Sequence, residues 1–225
     1  MRDSFLIVPK TVPEDDSKGV GTSTVAAINI HSGKVVEYDL KLPAAFKGKI
    51  APLGSRRPRL ALVGNKINAR FGMLSTIYHY DIPSRKTRIF FLKSKQQAEA
   101  ITLTTYVSFN QMMSNEGEEN NFEIANYQNL LYDPYQQVYC SIFIGGIAMI
   151  NENTGQKNDY DDKPISIIIA DQEFNYLGET PLKEHQHFRN FMVTRDGLII
   201  SNAHFKNLND REDVLSFTLY KLDCK

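Results

Sequence analysis

The sequence predicts an all-β chain, a β-propeller-like arc of about four four-stranded antiparallel blades. Three observations carry this reading. Helical periodicity is scarce, and the apolar segments are short, β-branched or aromatic, and bounded by turn residues, which is the strand signature. A strand, polar turn, strand unit recurs at residues 25–43 (VAAINIHSGKVVEYDLKLP), 75–94 (STIYHYDIPSRKTRIFFLKS) and 165–182 (ISIIIADQEFNYLGETPL), with a half-copy, LSFTLYKL, near the end of the chain. The strand centres are evenly spaced: Ile28 and Tyr78 lie 50 residues apart, and Ile168 and Phe217 lie 49 apart. Tyr78 and Ile168 lie 90 apart, which is one period with an insertion or two periods with a degenerate unit. Self-similarity at ~40–50 residues with four strands per unit marks a propeller blade. One such sheet cannot cover both its faces, so neighbouring sheets stack.

The other half of each unit is a second hairpin. LALVGNKINARFGM (60–73), NLLYDPYQQVYCSIFIGG (129–146) and FMVTRDGLIISNAHF (191–205) turn at Gly64-Asn65, Asp133-Pro134 and Asp196-Gly197. Asp-Gly between apolar runs is among the strongest short hairpin signals. In the repeated units HSGK, PSRK and QEFN hold the turns, with Gly33 or Pro83 supplying the special backbone angles. The blades then fall at about 4–43, 59–94, 126–182 and 188–222 within one domain spanning 1–225, with an insertion at 95–125. The first blade lacks its first strand and the last its fourth. The arc therefore reads as a partial propeller or as a chain missing its beginning, and its open blade edges and uncovered end faces predict self-association. The best helix candidate is KSKQQAEA (93–100), whereas NEGEENN (115–121) reads as a mobile, solvated insertion.

Composition narrows the function classes. The 225 residues carry 26 Lys+Arg and 26 Asp+Glu, so the net charge is zero, which argues against nucleic-acid binding through a basic field. The apolar stretch FLIV near the start is too short for a secretory signal, and no run approaches the ~18 residues of a membrane span. Two cysteines cannot make a disulfide framework; Cys140 reads as a small buried side chain and Cys224 as exposed. The lack of Trp disfavours a sugar-stacking platform, although 11 Tyr and 13 Phe can substitute.

The YDPYQQVYCSIF stretch, with LGETPL, FMVTRDGLIISN and LSFTLYKL, resembles a family of uncharacterised six-bladed propeller-like proteins. Certain Gram-negative gut bacteria export these as envelope lipoproteins. The matching positions are Tyr132, Asp133 and Pro134, then Leu177, Gly178 and Glu179, then Asp196 and Gly197. The resemblance spans about residues 25–222 and rests on structural turns. It implies the fold and a periplasmic or cell-surface address, and it brings no catalytic residues with it. This chain is shorter than a six-bladed member and shows no lipoprotein signal.

Candidate chemistry is sparse. His185 and His187 in EHQHF share a strand face but lack a third ligand, so a polar inter-blade loop is the better reading than zinc. Asp159, Asp161 and Asp162 in NENTGQKNDYDDK have a D-x-D spacing without the Gly and closing Glu of a calcium loop, and read as solvated surface. GVGTS (19–23) precedes a strand, so a phosphate has no helix N-terminus to use. SRRPR (55–59) and SRKTR (84–88) read as turn surfaces. No cofactor motif and no nucleophile triad is present.

Topology points further. Propeller ligands sit on the face where loops enter the innermost strands and leave the second strands. The lead-in positions are Arg59, then Asn126 and Tyr127, then Arg189 and Asn190, and these form the candidate binding set, against the alternative of strand-end caps and interface filler. The expected function is a non-enzymatic binding or scaffold propeller of the bacterial envelope, recognising a protein or glycan. The alternative is a polysaccharide-active hydrolase or lyase with a site on the central face. A third reading is a truncated fragment with no activity of its own.

Overall fold

A computed structural model describes residues 4–10, 22–47, 55–97, 109–183, 186–202 and 216–221, without the side chains of 109 and 187–190. It is nearly all β, with four antiparallel sheets in a propeller-like arrangement. The first sheet joins β1 (Phe5–Pro9), β2 (Ser23–Asn29) and β3 (Val35–Lys41) in that order. The second joins β4 (Arg59–Val63), β5 (Lys66–Arg70), β6 (Thr76–Asp81) and β7 (Lys86–Phe91). The third joins β8 (Asn126–Asp133), β9 (Val138–Ile144), β10 (Ile165–Ala170) and β11 (Tyr176–Pro181). The fourth joins β12 (His187–Thr194), β13 (Gly197–Ser201) and β14 (Phe217–Tyr220). Every pairing is between neighbours in sequence, as a meander requires.

Alternation along the middle strands explains the stacking. In β5, Ile67 and Ala69 enter a core shared with Val25 and Leu40 of the first sheet. From the opposite face of the same strand, Asn68 and Arg70 reach Tyr139 and Ser141 of β9. In β9 all seven residues are buried. Tyr139 and Phe143 face the second sheet, while Val138, Cys140, Ile142 and Ile144 face Leu198 and Ile200 of the fourth. Three apolar cores thus separate four sheets, and a strand buried on both faces reads as a continuous apolar run. The first strands of successive sheets lie against one another, β4 on β8 and β8 on β12, so they form the inner side of the stack.

The hairpin turns share a device. Asn29 Oδ1 accepts from the His31 and Ser32 amides, Asp81 Oδ1 from Ser84, Asp133 Oδ1 from Tyr135 and Gln136, and Asp171 Oδ1 from Glu173 and Asn175. Each turn then passes through the left-handed region, at Gly33, Arg85, Gln137 and Phe174, with φ of 68°, 56°, 57° and 62°. The organising side chain lies two positions before the HSGK and PSRK stretches, at or just past the end of its strand.

Three local expectations need correction. Residues 93–97 of the expected 93–100 helix are not helical, and 98–100 lie outside the described residues. Among the described residues the α-helices are α1 (Phe109–Met112) and α2 (Asn115–Glu123), and α2 covers the NEGEENN stretch read as a solvated insertion. Ser114 Oγ caps it by accepting from the Gly117 amide, and Glu116 and Glu118 sit in its first turn, where the helix dipole favours them. Its composition is poor for a helix, so packing holds it: Phe122 is buried, and the Ile147 amide donates to Phe122 O. Arg56, read as turn surface, is 3% exposed. The Arg85 turn is fully on the surface, as SRKTR suggests.

Candidate functional site

The insertion before β8 and the loop after β9 meet at one end of the third sheet. One leads into an innermost strand and the other leaves a second strand. Helix α2 comes from the first. The second folds back through an isolated bridge between Ile150 and Lys157 into a 3-10 turn at Tyr160–Asp162. Between them opens a cleft of about 640 Å³. Phe122 and Tyr160 form its aromatic wall, with ring centroids 6.0 Å apart and planes at 65°. Asn121, Asn158 and Asp159 add polar groups. The Lys157–Glu118 ion pair, at 2.7 Å, bridges loop and helix in solvent.

Lys163 sets this geometry. Its Nζ donates to Asn121 O at 2.7 Å and Ile124 O at 2.9 Å, at the C-terminal end of α2, where the helix dipole favours a cation. The ammonium also lies 4.4 Å from the Tyr160 ring centroid. Lys163 is 3% exposed, and burial pushes its pKa down to about 8. Gly146 completes the junction: a Cβ there would lie 1.8 Å from Glu123 O, so only glycine allows the loop backbone this close to the helix end. The 3-10 turn is itself pinned, because the Asp159 amide donates to Asp162 Oδ2 at 2.8 Å.

The expected binding residues divide. Arg59 Nη2 donates to Gln128 Oε1 at 3.0 Å, Gln128 Nε2 to Asn126 Oδ1 at 2.9 Å, and Asn126 Nδ2 to the Tyr160 hydroxyl at 3.3 Å. Arg59 and Asn126 are thus joined in one line that ends on the cleft wall. Tyr127 instead lies wholly buried between the second and third sheets. The Arg70 guanidinium carbon sits 3.5 Å from the Tyr127 ring centroid. The Tyr127 hydroxyl donates to Gln97 Oε1 at 2.6 Å and accepts from the Ser94 amide at 3.1 Å. Arg189 and Asn190 lie on β12, with side chains outside the described residues, as do His185 and the His187 side chain. Among the described residues no group of three or more His, Cys, Asp or Glu could hold a metal.

Between the second and third sheets runs a buried polar seam. Arg70 Nη1 donates to Ser141 Oγ at 2.7 Å and Nη2 to Leu92 O, while Nε has no partner. Burial pushes the Arg70 pKa down to about 9, against the opposing influence of Tyr127 and Glu179. Glu179 in turn accepts from Ser94 Oγ at 2.6 Å, from Ser166 Oγ, and from the Lys95 amide at 2.8 Å. This seam locks the second sheet to the third.

Glu118, Phe122, Tyr160 and Lys163 were not singled out from sequence. Ser114 followed by Glu116 and Glu118 is the one local sign of α2, and nothing local marks Lys163 as its clamp.

Residues 1–181 match the family described as Domain of unknown function (DUF4221). The chain belongs to that family. A DUF4221 member from Bacteroides vulgatus, known from its crystal structure, shares the fold, with a TM-score of 0.74 at 19% identity. The match covers 98% of this chain but 61% of that one, so this chain spans less than two thirds of its relative. Two crystal forms of an acylaminoacyl peptidase from Pyrococcus horikoshii align more remotely. Their TM-scores are 0.39 and 0.42 at 9% and 10% identity, over 79% and 88% of this chain and 23% and 26% of theirs. No curated protein matches the sequence.

Proposed function

We propose that this DUF4221 chain is a non-enzymatic binding module of the bacterial cell envelope, and that it takes a glycan in the cleft between α2 and the 3-10 turn. The carrying observation is the cleft itself: about 640 Å³, with an exposed tyrosine held in place from below and from behind, opposite amides and an ion pair. That volume falls in the range of small-ligand sites, which are concave and carry a few placed polar groups. A tyrosine ring offers an apolar face to the C–H side of a sugar, and its hydroxyl stays wet. Asn121, Asn158 and Asp159 supply the donors and acceptors that sugar hydroxyls need. The envelope setting rests on the sequence resemblance.

The test is a glycan-array screen of the full chain, followed by calorimetry of the best binder on wild type and Tyr160→Ala. Binding that falls at least tenfold in the variant supports the proposal. Unchanged affinity places the site elsewhere. Release of reducing ends from the bound glycan would replace a binding module with a polysaccharide-active enzyme.

A further inference from the structure

A second cleft, of about 420 Å³, lies on the far side of the same 3-10 turn. The turn divides the two: Asp159 and Tyr160 line the first, and Asp161, Asp162 and Lys163 line the second. The second floor is apolar, from Pro164, Ile165, Pro181 and Leu182, and its rim carries the exposed Gln96 and Lys183. Both clefts open at the end of the third sheet where β8 and β10 begin and β9 and β11 finish. The separating turn is three residues long, and at a rise of about 2 Å per residue it runs roughly 6 Å along its axis.

The charges around the pair lean toward carboxylates. Glu118, Asp159 and Lys157 line the first cleft, and Asp161, Asp162, Lys183 and the buried Lys163 line the second, four carboxylates against three lysines. Lys157 is paired with Glu118 and Lys163 is buried against α2, so an anionic polymer would meet the carboxylates of Asp159, Asp161 and Asp162 against one exposed lysine, Lys183.

From the shared ridge, the position of both clefts at one end of the third sheet and these charges we infer that the two clefts are subsites for one chain, a polysaccharide without anionic groups that crosses the 3-10 turn. The inference rests on the glycan reading of the first cleft and adds the length and charge class of its ligand. The minimal occupant is three sugar units, one in each cleft and one over the turn. Lys163 is the positioning residue for both subsites, because it ties the ridge to α2 without facing the first cleft.

Affinity against chain length tests this. Calorimetry on the full chain would use disaccharides and hexasaccharides of four uncharged series, β-1,4-glucan, α-1,4-glucan, α-1,6-mannan and β-1,4-xylan, with hexagalacturonate as the charged control. The expected result is a hexasaccharide bound at least tenfold tighter than the disaccharide of its own series, with hexagalacturonate weaker than both. Replacing both Gln96 and Lys183 by Ala, each exposed, should lower the hexasaccharide affinity to that of the wild-type disaccharide. Equal affinity for two and six units would overturn the two-subsite inference and leave the single-cleft function standing. A full-strength hexasaccharide in the double variant, or tighter binding of hexagalacturonate, would overturn it as well. If no saccharide in the series or on the array binds, the glycan function fails first and this inference falls with it.

Discussion

Lys163→Met should reveal how helix α2 is held. The wild-type ammonium donates to Asn121 O and Ile124 O at 2.7 and 2.9 Å, and burial pushes its pKa from 10.5 down to about 8. A lowered pKa in the folded state means that the unfolded chain binds more protons between those two values. The stability this group contributes is therefore full above the unfolded value and is lost as pH falls through about 8. Raising pH from 7 to 10 should strengthen the wild type by roughly 2–3 kcal/mol through Lys163 alone. Met keeps a long apolar stem and has no proton to release, so the variant lacks this gain. At pH 7 the losses and gains oppose one another. Two charge-assisted hydrogen bonds, about 1.5–3 kcal/mol each, disappear, and a burial penalty of about 3 kcal/mol disappears with them. The expected deficit at pH 7 is therefore about 0–3 kcal/mol, and it should grow by roughly 2–3 kcal/mol at pH 10. Urea unfolding of both proteins at both pH values, followed by far-ultraviolet circular dichroism, measures this. Arg70, pushed down to about 9, adds the same rise to both proteins, and Tyr139, pushed up to about 12 by burial, opposes both above pH 10, so the difference isolates Lys163. Equal pH increments in wild type and variant would refute the burial of the Lys163 ammonium.

Three further substitutions probe the frame of the site. Gly146→Ala places a methyl 1.8 Å from Glu123 O, a backbone atom that can yield only if α2 moves, so a loss of about 1–3 kcal/mol in thermal or urea melts is expected. An unchanged melting temperature would show that the loop and helix are not in fixed contact. Tyr127→Phe keeps the ring under Arg70 and removes the hydroxyl that serves Gln97 and the Ser94 amide, at an expected cost of about 1–3 kcal/mol; a neutral result would mean that these groups find other partners. Arg85→Gly, in an exposed turn at φ 56°, relieves a left-handed non-glycine residue and should gain up to about 1 kcal/mol in urea titration, whereas a clear loss would contradict the turn geometry.

The same calculations separate two kinds of information in the chain. Strand position and pairing order were legible because their code is local. Period-two alternation, Asp196-Gly197 and the Asp133-Pro134 turn act over fewer than about ten residues, and a wrong register would turn apolar rows to solvent. The approximately 50-residue repeat then implies stacking, since no single sheet here can bury both faces. Even the turn-forming Asn29, Asp81, Asp133 and Asp171 stand in plain view at the ends of their strands.

Tertiary structure decided the rest. Helix α2 has weak local propensity and stands through Phe122, Lys163 and the close approach of Gly146, none of which a window on residues 115–121 contains. Tyr127 and Asn126 are adjacent in sequence, yet alternation along β8 sends one into the inter-sheet core and the other toward the cleft wall. The line from Arg59 to Tyr160 joins residues whose first link spans 69 positions, and Lys163 reaches back 42 to Asn121. The sequence by itself determined which segments are strands and that they must stack. Which side chains converge in a cleft depended on how separate sheets and loops pack, because that convergence arises from long-range contacts with no local signature.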